Sequence, residues 1–210
     1  MGSLLMRRRA MMAAVSGGGG EIPIYETTGD ISGQYDTGIL LFDTPKSFTI
    51  YCEATFNNYN WTGNALSAFK AIFGINGNCG FYVGRSYGQD YRSNSKYASN
   101  TGRYTALVMN TTDEAISIPN GVKLTSLFSR QNLLSRKRMA VTYDHTTRTV
   151  RGYSDTFQPP NPNTWYTLSD DLISDLPILL NFRSAESTVN VFQIYNRCMS
   201  GEELQSKFWS

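Results

Sequence analysis

Histidine is almost missing from this chain of 210 residues: the one present is His145. A histidine-built metal centre is therefore excluded by count. The single imidazole falls in a predicted turn, where a solvated residue is expected rather than the base of a Ser-His-Asp site. Cysteine is scarce too. Cys52, Cys79 and Cys198 are odd in number and none stands in a C-x-x-C pair, so neither a disulfide-built scaffold nor a thiolate metal site is indicated. No run approaches the about 20 apolar residues that a membrane-spanning helix needs. Charged residues make up only 17% of the chain and leave a net charge of +2, too little to argue for a nucleic-acid partner. Paired carboxylates are also wanting. Glycoside hydrolysis needs two of them about 5–10 Å apart across a cleft. Glu53 stands alone on its predicted strand, and Asp113-Glu114 and Asp170-Asp171 are adjacent pairs that would point to opposite faces if extended. A hydrolase is not expected.

What the chain does have is aromatic and β-branched. Hydrophobic residues reach 40% and there are 13 tyrosines, enough for a real core and a tyrosine-rich surface. Four glycines, Gly17 to Gly20, divide an arm from the rest. The arm, within residues 1–20, carries Arg7, Arg8 and Arg9 followed by Met11 and Met12. As a secretion signal it is poor, because its apolar part is short and ends in Ser16 and the glycines. Residues 21–210 read as one domain.

Strands and turns dominate that domain. From Ser47 to Phe56, Phe48, Ile50, Cys52, Ala54 and Phe56 alternate with Thr49, Tyr51, Glu53 and Thr55, which places the first set against a core. Cys52 thus reads as a small core hydrophobe. Ala71 to Ile75 and Phe81 to Gly84, joined through Asn76-Gly77, read as a hairpin. Tyr104 to Met109 is a further strand. Met139 to Tyr143 and Thr149 to Tyr153 form a second hairpin around Asp144 to Arg148. The basic run Arg136-Lys137-Arg138 before it reads as the solvated start of a strand. Pro159, Pro160 and Pro162 make 157–165 an irregular excursion. Ile178 to Leu180 and Val189 to Tyr195 close the series. One helix is signalled, by the capping box of Ser200 and Glu203. The expected fold is all-β: a two-sheet antiparallel jelly roll with a short C-terminal helix covering one end of it.

Candidate sugar-contacting residues are aromatics in loops with amide neighbours: Asn60 and Trp61, then Tyr87, Tyr91 and Tyr97 around the long Tyr/Ser/Asn/Gly-rich stretch 86–102, and Trp165 and Tyr166 after the prolines. Phe208 and Trp209 are expected to cover the core instead. Asp30, Asp36, Asp43, Asp144 and Asp155 are the residues open to calcium, but their spacing matches no dedicated loop, so turn formation is the expected role and no cofactor is assigned.

Two segments resemble laminin-G-like domains of the concanavalin A-like lectin group. Met139-Ala140-Val141-Thr142-Tyr143-Asp144 with Thr147-Arg148-Thr149-Val150-Arg151-Gly152-Tyr153 is similar to a mid-to-late hairpin of that family. Val191-Phe192-Gln193-Ile194-Tyr195-Asn196-Arg197-Cys198-Met199-Ser200-Gly201-Glu202-Glu203-Leu204 is similar to its closing block, and the strand 47–56 to its early one. Gly152-Tyr153-Ser154-Asp155 and Asn181-Phe182-Arg183-Ser184 depart from the family's pattern. The resemblance implies a concanavalin/laminin-G-like jelly roll that binds rather than catalyses. The arm, Leu4 to Met12, resembles the opening of structural proteins of phages and prophages. That implies a virion protein (head-fibre, decoration or tail-associated) whose arm contacts other virion proteins, with host-surface polysaccharide as a ligand and a homo-oligomer as a possible state. The alternative is a secreted or cell-surface bacterial carbohydrate-binding module.

Overall fold

A computed structural model describes residues 22–56, 70–75, 81–87, 103–110, 122–128, 136–155, 158–162, 164–167, 171, 173–182 and 187–210. It contains β1 (Tyr25–Ile31), β2 (Tyr35–Asp36), β3 (Phe48–Phe56), β4 (Lys70–Gly74), β5 (Phe81–Tyr87), β6 (Arg103–Asn110), β7 (Val122–Phe128), β8 (Lys137–Asp144), β9 (Thr149–Ser154), β10 (Thr164–Thr167), β11 (Leu179–Phe182), β12 (Ser187–Tyr195) and α1 (Gly201–Phe208). The strands form two six-stranded antiparallel sheets, ordered β1-β12-β3-β8-β9-β10 and β2-β11-β4-β5-β6-β7. The β-sandwich with one C-terminal helix is as the sequence leads one to expect.

The period-two pattern of β3 explains the core. Phe48, Ile50, Cys52 and Ala54 are fully buried, together with Met139, Val141 and Tyr143 of β8, Val189, Phe192 and Ile194 of β12, and Ile72, Phe73, Val83 and Leu180 of the facing sheet. Side chains from two inner sheet faces thus meet in one apolar layer. The two sheets are tied across that layer by Asn181 of β11. Its amide donates to the Ile31 carbonyl, and its oxygen accepts the Ser187 hydroxyl.

A second cluster lies on the outer face of the first sheet. Tyr51, Ala140, Tyr153 and Tyr195 occupy outward positions and pack against Met199 and Leu204, with Phe208 and Trp209 alongside. The helix therefore covers this outer face rather than an end of the sandwich, which corrects the expectation. Tyr51 stacks on Phe208 at 3.9 Å between ring centroids. The Ser200/Glu203 capping box forms as its sequence requires.

Three further readings change. The proline-rich stretch does not stay irregular to its end: Trp165 lies within β10, which pairs with β9. Strand β7 was not foreseen. The basic run is only partly solvated. Arg136 is exposed, but Arg138 binds Asp155 through Nε, donates to the Phe208 carbonyl and lies over the Trp209 ring.

Strand register defines the two ends of the sandwich. One is the hairpin end, where Phe48 pairs with Tyr143 and β8 turns into β9. Thr167 of β10, paired with Thr149, reaches this end, as do Leu179 and Gly74 of the second sheet. At the opposite end Phe56 pairs with Ser187, and Lys70 with Arg85.

Candidate functional site

The sequence candidates divide between these ends. Phe56 and Tyr87 finish β3 and β5, and Lys70 and Arg103 begin β4 and β6, all toward the opposite end. The connections between those strands, 57–69 and 88–102, carry Asn60, Trp61, Tyr91 and Tyr97, and these four lie outside the described residues. Tyr87 itself pairs with Arg103. Trp165 and Tyr166 sit elsewhere, on edge strand β10, paired with Arg151 and Val150 next to the hairpin end. Of the three candidates among the described residues, Tyr87 thus stands toward the opposite end and Trp165 and Tyr166 toward the hairpin end. Arg7, Arg8, Arg9, Met11 and Met12 lie outside the described residues.

At the hairpin end, four side chains converge. The turn between β8 and β9 runs Asp144-His145-Thr146-Thr147-Arg148. Its entry is fixed by the Asp144 carboxylate, which accepts from the Thr146 N–H at 2.9 Å and the Thr147 hydroxyl at 3.0 Å, an Asx-type turn. The His145 N–H donates to Ser47 Oγ at 3.0 Å, which anchors the turn to the start of β3. The Arg148 N–H closes on the His145 carbonyl, and Arg148 takes a left-handed φ of 51°.

This turn presents His145 and Arg148 to Asp171. One carboxylate oxygen, Asp171 Oδ1, receives the Tyr143 hydroxyl at 3.4 Å, and lies 3.4 Å from Arg148 Nε and 3.2 Å from His145 Nδ1. His145 is thus in the predicted turn but is not simply solvated: its Nδ1 is shielded from solvent and faces a carboxylate, off the line of a hydrogen bond. The segment carrying Asp171 is held to the body by the Ser174 N–H to Phe42 carbonyl bond and by Ile178 N–H to Ile39 carbonyl. Tyr143 is buried, with its ring 5.5 Å from that of Phe48, so its hydroxyl reaches out of the core from a fixed base. Asp171, His145 and Arg148 are each a quarter to a half exposed.

The arrangement offers hydrogen-bond donors and an acceptor at a sheet end, with Asp171, His145 and Arg148 partly open to water. Such a set suits a polyhydroxylated ligand. A His–Asp contact is also part of nucleophilic sites. Here the nearby Ser47 hydroxyl is engaged by the His145 backbone, and Asp171 is ringed by a phenol and two nitrogen bases rather than by a second carboxylate. Glu53 is likewise committed, to Arg136 and the Tyr51 hydroxyl. Sequence reasoning passed over Tyr143, His145, Arg148 and Asp171 as ligands. The available signal was Arg148, standing where such a hairpin turn favours glycine or asparagine.

The aspartates considered for calcium are spread over the fold and engaged there. Asp30 accepts from Asn190, Asp36 from the Gly38 N–H, Asp43 from Lys46 and Asp155 from Arg138. The Lys46 hydrogen bond holds the Asp43 carboxyl below its ordinary range. Among the described residues no three His, Cys, Asp or Glu side chains cluster as metal ligands, and no helix is long and apolar enough to cross a membrane. Burial pushes the thiols of Cys52 and Cys198 upward, and both are free.

No protein-family model and no curated protein matches the sequence. Solved structures do match in shape. The CBM40 module of the Ruminococcus gnavus IT-sialidase, bound to alpha2,3 sialyllactose, superposes with a TM-score of 0.57 at 12% identity, over 88% of this chain and 97% of that one. A point mutant of the NanB sialidase from Streptococcus pneumoniae gives 0.57 at 14% identity, over 88% of this chain but only 28% of the enzyme. The binding domain of Paraclostridial Mosquitocidal Protein 1 gives 0.51 at 10% identity, over 77% of this chain and 36% of that one. At these identities what is shared is the fold: this chain has the β-sandwich architecture of CBM40 carbohydrate-binding modules.

Proposed function

We propose that this chain is a non-catalytic glycan-binding module whose sugar-contacting surface is the hairpin end, with His145, Arg148 and Asp171 supplying hydrogen bonds, buried Tyr143 bonding Asp171 from beneath, and Trp165 of β10 supplying aromatic surface. The observation that carries the reading is the convergence of a phenol, a guanidinium and an imidazole nitrogen within 3.4 Å of Asp171 Oδ1, at the end of a sandwich shaped like CBM40 modules. A carboxylate with a guanidinium and an imidazole beside it bonds vicinal hydroxyls, and aromatic faces stack on pyranose rings. Of the two roles left open by the sequence, the likeness in fold favours the secreted or cell-surface carbohydrate-binding module over the virion subunit. The latter rests on the arm alone.

A glycan array tests the proposal. Its panel contains lactose, alpha2,3- and alpha2,6-sialyllactose, and bacterial surface polysaccharides. Retention of at least one glycan, weakened by Asp171→Asn and by Trp165→Ala, is expected. Trp61→Ala and Tyr91→Ala probe the connections that follow β3 and β5. If they alone abolish retention, the sugar surface lies there instead. Release of reducing sugar from any bound glycan would contradict the non-catalytic reading.

A further inference from the structure

We propose that His145 is a specificity-determining residue of the hairpin-end site: its outward ring nitrogen, Nε2, accepts a glycan hydroxyl, so that binding weakens when the imidazole gains a proton. The inference rests on the glycan-binding reading and deepens it. His145 is the chain's one histidine. Its two ring nitrogens stand in different surroundings. Nδ1 is shut off from solvent, 3.2 Å from Asp171 Oδ1 and off the line of a hydrogen bond. The side chain is nonetheless 39% exposed. Among the described residues its one polar side-chain contact is the one to Asp171, and Nε2 is neither shielded from water nor bonded.

Asp171 decides the tautomer. A lone pair on Nδ1 would face a carboxylate oxygen at 3.2 Å, whereas a hydrogen there is drawn to it. The neutral ring therefore carries its hydrogen on Nδ1 and turns the Nε2 lone pair outward. The rest of the cluster is short of acceptors. Arginine has donors only, and Asp171 Oδ1 already faces a phenol, a guanidinium and the imidazole. Nε2 adds an acceptor for a sugar hydroxyl. Protonation puts a hydrogen on both nitrogens, and the acceptor becomes a donor. The hydroxyl that donated to it then loses its partner. Histidine ordinarily changes charge between about pH 5 and 8. Among the described residues, the other charged or titratable groups about His145 are Asp171, Arg148 and the Tyr143 hydroxyl. Asp144 of the same turn is held by Thr146 and Thr147, and Lys46, next to Ser47, by Asp43. Carboxylates, guanidinium and ammonium groups and phenols ordinarily titrate outside that window. Burial moves the Cys52 and Cys198 thiols further above it.

The test follows affinity from about pH 8 to about pH 5 for the native chain and for His145→Gln, which keeps a polar side chain that does not titrate. The probes are immobilised galactose-, glucose-, mannose- and N-acetylglucosamine-terminated neutral oligosaccharides, which carry no titrating group of their own. The denaturant midpoint is measured at each pH. Native affinity is expected to fall at least about fivefold toward acid, the scale of one lost hydrogen bond, while the chain stays folded. His145→Gln is expected to bind more weakly than the native chain at the alkaline limit, to keep the native midpoint there, and to show a flat profile. A flat native profile, or affinity that rises in acid, overturns the inference. So does a fall that His145→Gln retains in full, or one that only tracks unfolding of the chain. If His145→Gln binds too weakly to follow, the native profile decides alone. Silence of the native chain on every oligosaccharide at every pH sinks the glycan reading itself, and is recognised without any variant.

Discussion

A β-carbon on Gly201 would lie 2.2 Å from the carbonyl oxygen of Pro160 and 2.8 Å from its Cα. The first residue of α1 thus rests against the backbone of the proline segment, which has no flexible side chain to move aside. Gly201→Ala must push helix and segment apart. We predict a loss of roughly 2 kcal/mol in unfolding free energy, the scale of an overpacked contact. Urea denaturation checks it, and Glu202→Ala, one position on and exposed, is expected to have little effect.

The seating of α1 depends on its last aromatic. Phe208 stacks on Tyr51 at an interplanar angle of 8° and packs 6.1 Å from the Tyr195 ring. Phe208→Ala removes that area and the stacking, for a predicted cost of about 2 kcal/mol. Phe208→Leu restores part of the area without the ring geometry and is expected to fall between. Thermal unfolding of the three proteins orders them.

Asn181 should be among the least replaceable residues of the core. Asn181→Leu leaves the Ile31 carbonyl and the Ser187 hydroxyl buried without this partner and puts a γ-branched side chain at a φ of 50°. Each unsatisfied group costs about 1–3 kcal/mol, so a loss of roughly 3 kcal/mol or more is predicted. Asn181→Gly keeps the backbone conformation and loses only the bonds, and is predicted to be the milder change in the same denaturation assay.

Acid should loosen α1 before the sandwich. The Arg197 hydrogen bond, then the Ser200 N–H, hold the Glu203 carboxyl below its ordinary value. A depressed folded-state pKa contributes stability that is complete above the unfolded value and is lost as pH falls through the folded one. The pair is exposed, so the contribution is small. Tryptophan fluorescence, with Trp209 beside Tyr51, is predicted to shift in the acid limb of a pH titration below the normal glutamate range. Glu203→Gln should flatten that limb.

Much of the fold was legible because it follows local rules. The alternation of β3, the β8–β9 hairpin and the Ser200 capping box each declare themselves within eighteen residues or fewer. Placement across the chain did not. The helix lies on the outer face of the first sheet because Tyr51, Tyr153 and Tyr195 occupy outward strand positions and need cover. Those aromatics were visible in the sequence, but the partner that covers them was not. Trp165 was hidden from strand assignment by the three prolines before it. The meeting of Tyr143, His145 and Arg148 with Asp171 joins segments more than twenty residues apart through a crossing between sheets. No spacing rule encodes that, and only the odd choice of arginine at position 148 marks it.

The central claim, that this sandwich binds glycans at its hairpin end, is tested most directly by amide shift mapping. A 15N-labelled chain is titrated with a glycan retained on the array. The account predicts saturable shifts centred on Asp144 to Thr149, Thr167 and Asp171, with Lys137, Ser187 and α1 unmoved. Shifts confined to the opposite end, or none at saturating glycan, would contradict it.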